Sequence, residues 1–572
     1  MAAIPYTQIG QCRTPYLLLS FFLLALACPA GAQTFRVQCP TATLLHPIAP
    51  VPGSVPSSAA QYSEQGYLEA AYSGPTTIAA VGNGVALSYV SDGGAIKCQQ
   101  VSGGDGFMTE ADGNQTFMFS FGPLSGLSLI QHGLPGTLFA RDFLQPYNPG
   151  TATFNNGQPN PLFNSATGSP DGAVTDVAAI IDTGVMNGNI PGPLMAIDED
   201  DEFFLTLTNV GMIMRPDLFE QHTIHFHGYP NASSYYDGVP DASLAINIGG
   251  SFTYYYLAPD AGTYFWHCHI TPPEHLQMGM VGQLYVRPRQ NRVPAGADLY
   301  ASLVTQQRDL RTACNPTTAS NPDNDLLCST PLPAASSGFV HQAGFKYAYN
   351  DGDGSTRYDV DVPIQIHGFD PNFHFIGMTF NPEGFADMKD KYFLLNGRSY
   401  PDTVGLPAGS VPNWSGGVAA GANNPDPATH AISTEASDGM SRTSQPMHTL
   451  ITLNSQGGPG SCVSAAGATI PCGQRALLRI SDLDVSEYQT LASLGVPLQV
   501  VGYNAKLLRD LAGNNLYYAT NSITLGGGES LDAILDSTGV APGTYFLYTP
   551  NLDHLSNDSE NFGGLMTEIV IQ

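Results

Sequence analysis

Along this chain, short runs of aromatic and aliphatic residues alternate with polar ones and are closed by glycine, proline or asparagine. A period of two is that of a strand, because successive side chains leave it on opposite faces. Thr116-Phe-Met-Phe-Ser-Phe121 is the first clear run, and Asp198-Glu-Asp-Asp-Glu-Phe-Phe-Leu-Thr-Leu-Thr-Asn209 the next. His222–Gly228, Ser251-Phe-Thr-Tyr-Tyr-Tyr256 and Ala261-Gly-Thr-Tyr-Phe-Trp-His-Cys-His269 follow. Further on, Tyr392–Pro401, Gly473–Arg479, Leu498–Tyr503 and Pro542–Pro550 read the same way. The expectation is an all-β chain of short strands and many turns.

Composition sharpens that picture. With 62 glycines and 44 prolines among 572 residues, long helices are not expected. Charged residues make up 12%, against ~25% in typical domains. The net charge of −28 argues against nucleic acid or an anionic membrane as partner. Residues 1–32 read as a secretory signal: Arg13 as basic flank, Leu17 to Ala27 as apolar core, Ala30-Gly-Ala32 as cleavage site. The run is too short to span a bilayer, and lipid attachment at Cys28 is the weaker reading. A secreted or periplasmic location follows. Seven cysteines then remain, and with Cys268 set aside the other six are even in number. Proximity suggests Cys39–Cys98, Cys314–Cys328 and Cys462–Cys472, which an oxidising compartment permits.

The chemistry gathers in two stretches. Tyr264-Phe-Trp-His267-Cys268-His269 is followed by His275 and Met280, and upstream lies His222-Thr-Ile-His225-Phe-His227-Gly228. Two imidazoles, a thiolate and a weak thioether are the ligand set of a mononuclear copper electron-transfer site. Strand parity sorts the residues. If the two stretches lie side by side, His222 and Cys268 share one face, where His275 and Met280 close a site for one copper. His225, His227, His267 and His269 share the other and can hold one or more further metals. Met278 is a competing candidate for the place of Met280. Six of the fourteen histidines fall here with the parity two sites require, which merely histidine-rich core strands would not need.

The stretch from Ala178 to about Arg289 resembles the cupredoxin domain of multicopper oxidases. Asn187-Gly-Asn-Ile-Pro-Gly-Pro193, His222-x-x-His225-x-His227-Gly228, Asp237-Gly-Val-Pro240 and Gly262-Thr-Tyr-Phe-Trp-His-Cys-His269 carry the resemblance. It implies tandem cupredoxin-like Greek-key β-sandwiches and copper. By it, His222, Cys268, His275 and Met280 are type 1 ligands, His225 serves type 2 copper, and His227, His267 and His269 the type 3 pair. The gap from His269 to His275 is longer than in laccases and nearer that of copper nitrite reductases.

This gives a division into a signal at 1–32, a Ser/Gly/Pro-rich segment at 33–110 and a copper-binding sandwich at 111–290. A linker at 291–340 leads to a second cupredoxin-like sandwich at 341–572 that lacks most ligands. Pro542-Gly-Thr-Tyr-Phe-Leu-Tyr-Thr-Pro550 repeats the motif with Tyr548, Thr549 and Pro550 in place of His267, Cys268 and His269. Placing Gly502-Tyr503 on Gly228-Tyr229 puts Gln499 and Val501 where His225 and His227 stand. A trinuclear cluster in the family uses eight histidines, and this chain supplies half of them in His-x-His pairs. His554 is the candidate for one more ligand, donated across a domain or subunit interface. Asp237 and Glu274 are candidate carboxylates around the ligands.

Three functions are consistent with this. The first is an oxidase that takes electrons from a small-molecule or metal-ion donor at type 1 copper and reduces dioxygen at the histidine face, with a second subunit completing the cage in a homo-oligomer. The second is a two-copper, nitrite-reductase-like enzyme. The third is a copper-binding or electron-transfer protein without turnover.

Overall fold

The computed structural model describes, with short breaks, residues 38–46, 77–145, 172–307, 330–404 and 449–572. The signal segment, Cys314, Cys328, His132, His430 and His448 lie outside the described residues. Among the described residues, no helix is long and apolar enough to cross a membrane.

Two β-sandwiches account for nearly all of it. In the first, one sheet runs in the order Ser251–Leu257, Glu202–Gly211, Ile96–Thr109, Gln115–Pro123, with Leu138–Phe139 and Met186–Asn187 also on Ile96–Thr109. The facing sheet runs Met195–Asp198, Val281–Arg287, Gly262–His267, His225–His227. Apolar side chains from both sheets meet between them: Phe117, Phe119, Phe121, Phe203, Leu205 and Tyr254 against Ile197, Phe226, Trp266 and Leu284. The strand Ile96–Thr109 corrects the boundary at 110/111. It pairs with both Gln115–Pro123 and Glu202–Gly211, so the sandwich starts before residue 111. Its glycines and glutamines hide the apolar alternation that marks the other strands.

The second sandwich repeats this plan. Tyr392–Leu395, Val360–Phe369, Arg475–Asp482, Glu529–Asp536, Leu498–Tyr503 and Lys506–Leu507 form one sheet, with Tyr518–Thr520 on Leu498–Tyr503. Ile451–Leu453, Met566–Ile571, Gly543–Tyr548, Gln489–Leu494 and Ser522–Leu525 form the other. The repeat is exact in pairing: Gly262–His267 runs antiparallel to Val281–Arg287 as Gly543–Tyr548 does to Met566–Ile571. The neighbour of Gly543–Tyr548 on its other side, however, is Gln489–Leu494. Leu498–Tyr503 belongs to the opposite sheet. Ala492, Ser493 and Leu494 face Tyr548, Leu547 and Phe546 as His225, Phe226 and His227 face His267, Trp266 and Phe265. The counterparts of His225 and His227 are therefore Ala492 and Leu494, not Gln499 and Val501. A Gly-Tyr pair closes many strands; only cross-strand pairing sets register.

Two of the three expected disulfides are present, Cys39–Cys98 and Cys462–Cys472. The acidic run Asp198–Glu202 is buried throughout, not a solvated strand start. Arg287 and Lys97 hold Asp198, Arg289 and Arg292 hold Asp200, and Asn350 reaches Glu199 from the far side of the linker. Such pairing is what lets these carboxylates leave water.

Candidate metal centre

The strand His225–His227 lies antiparallel against the end of Gly262–His267, with His225 directly opposite His267. It is shorter than the sequence suggests; His222 is held instead by a bridge to Ile246. The backbone beyond His267 stays extended enough for the parity to survive. One face collects His222, Cys268 and His275, all buried, with their ligand atoms within 4.8 Å of one another. The other collects His225, His227 and His267 under the same limit. His269 stands beside that trio, its ring 5.2 Å from His225 and 5.7 Å from His267. The two clusters are joined through a single peptide chain, 267–269.

On the first face, Cys268 is the free cysteine among the described residues. His275 Nδ1 lies 3.2 Å from its Sγ, and the Thr223 amide donates to the same sulfur at 3.4 Å. Burial pushes the thiol up, but the charge of His275 beside it outweighs this and holds it below the ordinary thiol range. Burial likewise opposes a proton on His275, and the thiolate overrides it, lifting the imidazole. A thiolate is the form that binds metal. His222 differs: burial, then the charge of His275, hold it well below the usual range, so it stays neutral. Both of its ring nitrogens are buried without a hydrogen-bond partner. A desolvated imidazole in that state costs free energy, and a metal ion beside Cys268 would remove the cost. Met280 donates its amide to the His275 carbonyl and accepts from the Cys268 amide, closing the loop around the site.

Gly103 explains how the ring of His222 fits. A Cβ there would lie 2.7 Å from His222 Cδ2 and 3.4 Å from Met280 Cε. The His222 ring and the Met280 methyl thus meet over bare backbone, which supports Met280 over Met278 as the fourth group. Phe119 covers His275 edge-on at 5.0 Å.

On the second face, outer hydrogen bonds choose the tautomers. His267 Nδ1 donates to the Cys268 carbonyl at 2.8 Å, and His225 Nδ1 to the Asp237 carbonyl at 2.7 Å. Each leaves Nε2 as a bare lone pair facing inward, the arrangement metal-binding histidines use. It is the backbone of Asp237 that acts here; its carboxylate is further off, at 3.4 Å. His227 Nδ1 sits 3.3 Å from His267 Nε2, so one proton or one cation must stand between them. Burial, then the neighbouring imidazoles, pull His267 down to about 3 despite the hydrogen bond to Cys268. Neutral, crowded nitrogens of this kind suit a metal.

His227 and His267 open on a cleft of about 600 Å³ between the sandwiches. The opposite wall is Leu483–Tyr488 and Gly526–Glu529, which brings Asp484, Glu487 and Glu529. Among the described residues, no histidine of the second sandwich lines it. His554 is buried with Nδ1 on Gln489 Oε1 and Nε2 on Glu487 Oε2, both at 2.9 Å. It completes a local hydrogen-bond pair and does not reach the cleft as a spare ligand. His374 is held between the carbonyls of Phe117 and Gln277.

Sequence reading missed Thr223, Gly103 and Phe119. Thr223 also accepts the His269 amide through Oγ1 at 2.9 Å, so one side chain steadies both clusters. Its place beside His222 is the only signal it offers; the other two lie on distant strands.

Residues 173–291 match the family model of multicopper oxidases. A laccase of Aspergillus fumigatus, abr2, is 34% identical over 128 residues, 22% of this chain and 19% of its own length. A copper-containing nitrite reductase of Rhizobium meliloti is 36% identical over 109 residues, 18% of this chain and 26% of its own. A blue copper oxidase from Nitrosomonas europaea is similar with a TM-score of 0.44 at 16% identity, covering 83% of this chain and 85% of that one. The matched sequence thus spans well under half of either curated relative. The residues that match the family model take in every residue of both clusters, while the sandwich that holds them begins earlier, with Ile96–Thr109.

Proposed function

We propose that this chain is a secreted copper-dependent oxidoreductase of the multicopper oxidase type. It oxidises a small-molecule or metal-ion donor one electron at a time and delivers the electrons to dioxygen. His222, Cys268, His275 and Met280 hold a type 1 copper; His225, His227, His267 and His269 hold the second copper site. Bound there, copper supplies a one-electron couple at the first site and an oxygen-reducing centre at the second. The chain's own contribution is positional. Thr223 fixes the Cys268 sulfur and the His269 backbone. The carbonyls of Cys268 and Asp237 aim two imidazoles inward. The two sandwiches together form the walls of the cleft on which His227 and His267 open. The division into a ligand-bearing unit and a unit at 341–572 without ligands belongs to this reading.

The observation that carries it is the sorting of the free Cys268 and six imidazoles into two clusters on opposite sides of one strand end. One feature favours a smaller second site, as in a nitrite-reductase-like enzyme: the wall opposite His227 and His267 offers carboxylates where a full histidine cage needs imidazoles. Copper per chain in loaded protein, with electron paramagnetic resonance and visible spectra, decides. About four coppers supports the trinuclear oxidase, about two the smaller site, and about one with a type 1 signal alone overturns the enzyme reading in favour of electron transfer. Sedimentation of the same sample shows whether the higher count requires a second subunit.

A further inference from the structure

The helical turn Pro272–Gln277 carries His275, yet little within it holds its shape. It is six residues long, opens from Thr271 in the left-handed region at φ 36°, and has no side-chain cap. So short a helix depends on contacts from elsewhere. Several of those contacts come from the second sandwich, and Gln277 makes its side-chain hydrogen bonds there. Leu276 packs in a buried cluster where Phe369, Tyr392, Leu394 and Leu483 of the second sandwich meet Met108, Met118, Phe265 and Val281 of the first. Gln277 is fully buried; its Oε1 accepts the Asp370 amide at 2.9 Å, and its Nε2 donates to Asp390 Oδ1 at 3.2 Å. Its carbonyl lies 2.9 Å from His374 Nε2. The neighbouring Phe373 enters the core of the first sandwich, in the cluster that contains Cys268, Met278 and Met280.

We propose that the ligand-free sandwich is a clamp on the type 1 site, and that Gln277 is the positioning residue through which it sets the placing of His275 and Met280. This rests on the reading of Cys268, His275 and Met280 as copper ligands. In it, the second sandwich keeps a role in the chemistry although it holds no metal. Residues 369–374 and 390 reach across from it, so tightening or loosening that contact changes the geometry around the sulfur.

The test uses the full chain and two variants, Gln277→Met, which keeps the volume and loses both side-chain hydrogen bonds, and Phe373→Leu, should the first not fold. Tyr545→Phe, which removes the bond from its hydroxyl to the Ala541 carbonyl within the second sandwich, is the control. In metal-free protein, amide exchange over 275–280 is expected to rise about tenfold or more in either variant and not in the control. In copper-loaded protein, the thiolate charge-transfer band is expected to shift and the reduction potential to move, with copper still bound at Cys268. Wild-type exchange together with a wild-type band in Gln277→Met or Phe373→Leu overturns the clamp. If wild-type protein shows no thiolate band at all, the copper reading fails, and the exchange measurement still decides the clamp.

Discussion

The two sandwiches share a strand plan and differ in what they do with polar atoms. In the first, His222, Cys268 and His275 converge; in the second, the same three places hold Gln489, Thr549 and His554. His222 has two buried nitrogens with no partner, whereas both nitrogens of His554 are bound, to Gln489 and Glu487. Phe119 meets His275 edge-on, and Phe393 stacks flat on His554. His367 of the second sandwich also has both ring nitrogens buried without a partner, so what marks the first place as built for a metal is an unsatisfied imidazole set beside a free thiol and a second imidazole. A core that needs only packing satisfies its polar groups internally.

The most severe way to break this contrast is Cys268→Ser. The intense visible band should vanish while far-ultraviolet dichroism stays as in wild type; Thr549→Ser should leave the band untouched. A surviving band in Cys268→Ser would remove the thiolate from the site. Next comes His227→Ala, which should keep the blue colour and bring dioxygen consumption to background. Unchanged turnover would place oxygen chemistry away from the cleft.

Gly103→Ala tests packing around His222. The added methyl must displace the imidazole or the Met280 methyl, at a cost of about 1–3 kcal/mol in metal-free stability and with a shifted band in loaded protein. Denaturant unfolding that matches wild type would show that His222 does not rest on Gly103. The smallest effect concerns Asp390. Burial and the nearby Asp484 raise its carboxyl to about 9. Since the folded value exceeds that of the unfolded chain, the stability its proton confers is fully present in acid and is lost as pH rises through about 9. Metal-free protein should therefore lose thermal stability on going from about pH 5 to pH 9, and Asp390→Asn should flatten part of that slope. Equal slopes in the two proteins would show Asp390 ionised throughout.

Much of the site was legible before the fold. Parity alone sorted His222 and Cys268 from His225, His227, His267 and His269, because the period of a strand is local and two short stretches carried most of the ligands. The all-β class followed from alternation and turn residues in the same way. What stayed hidden had no local trace. Gly103 serves His222 across two sheets, and the strand that carries it was assigned to a preceding segment because glycine and glutamine mask its period. Gln277 carries no local mark of the contacts it makes with Asp370 and Asp390. The repeat in the second sandwich was seen at Gly543-Thr-Tyr-Phe546 but misaligned at the neighbouring strand.

By itself, then, the sequence determined the strands, the ligand types and the two faces they take, since these depend on covalent order and the alternation of side chains. Tertiary structure alone decided which strand became the neighbour of Gly543–Tyr548, what faces the histidine cluster across the cleft, and what holds the His275 turn. Those are contacts between residues far apart in the chain. They are settled by cross-strand register and by burial of whole faces, neither of which leaves a mark on any single stretch.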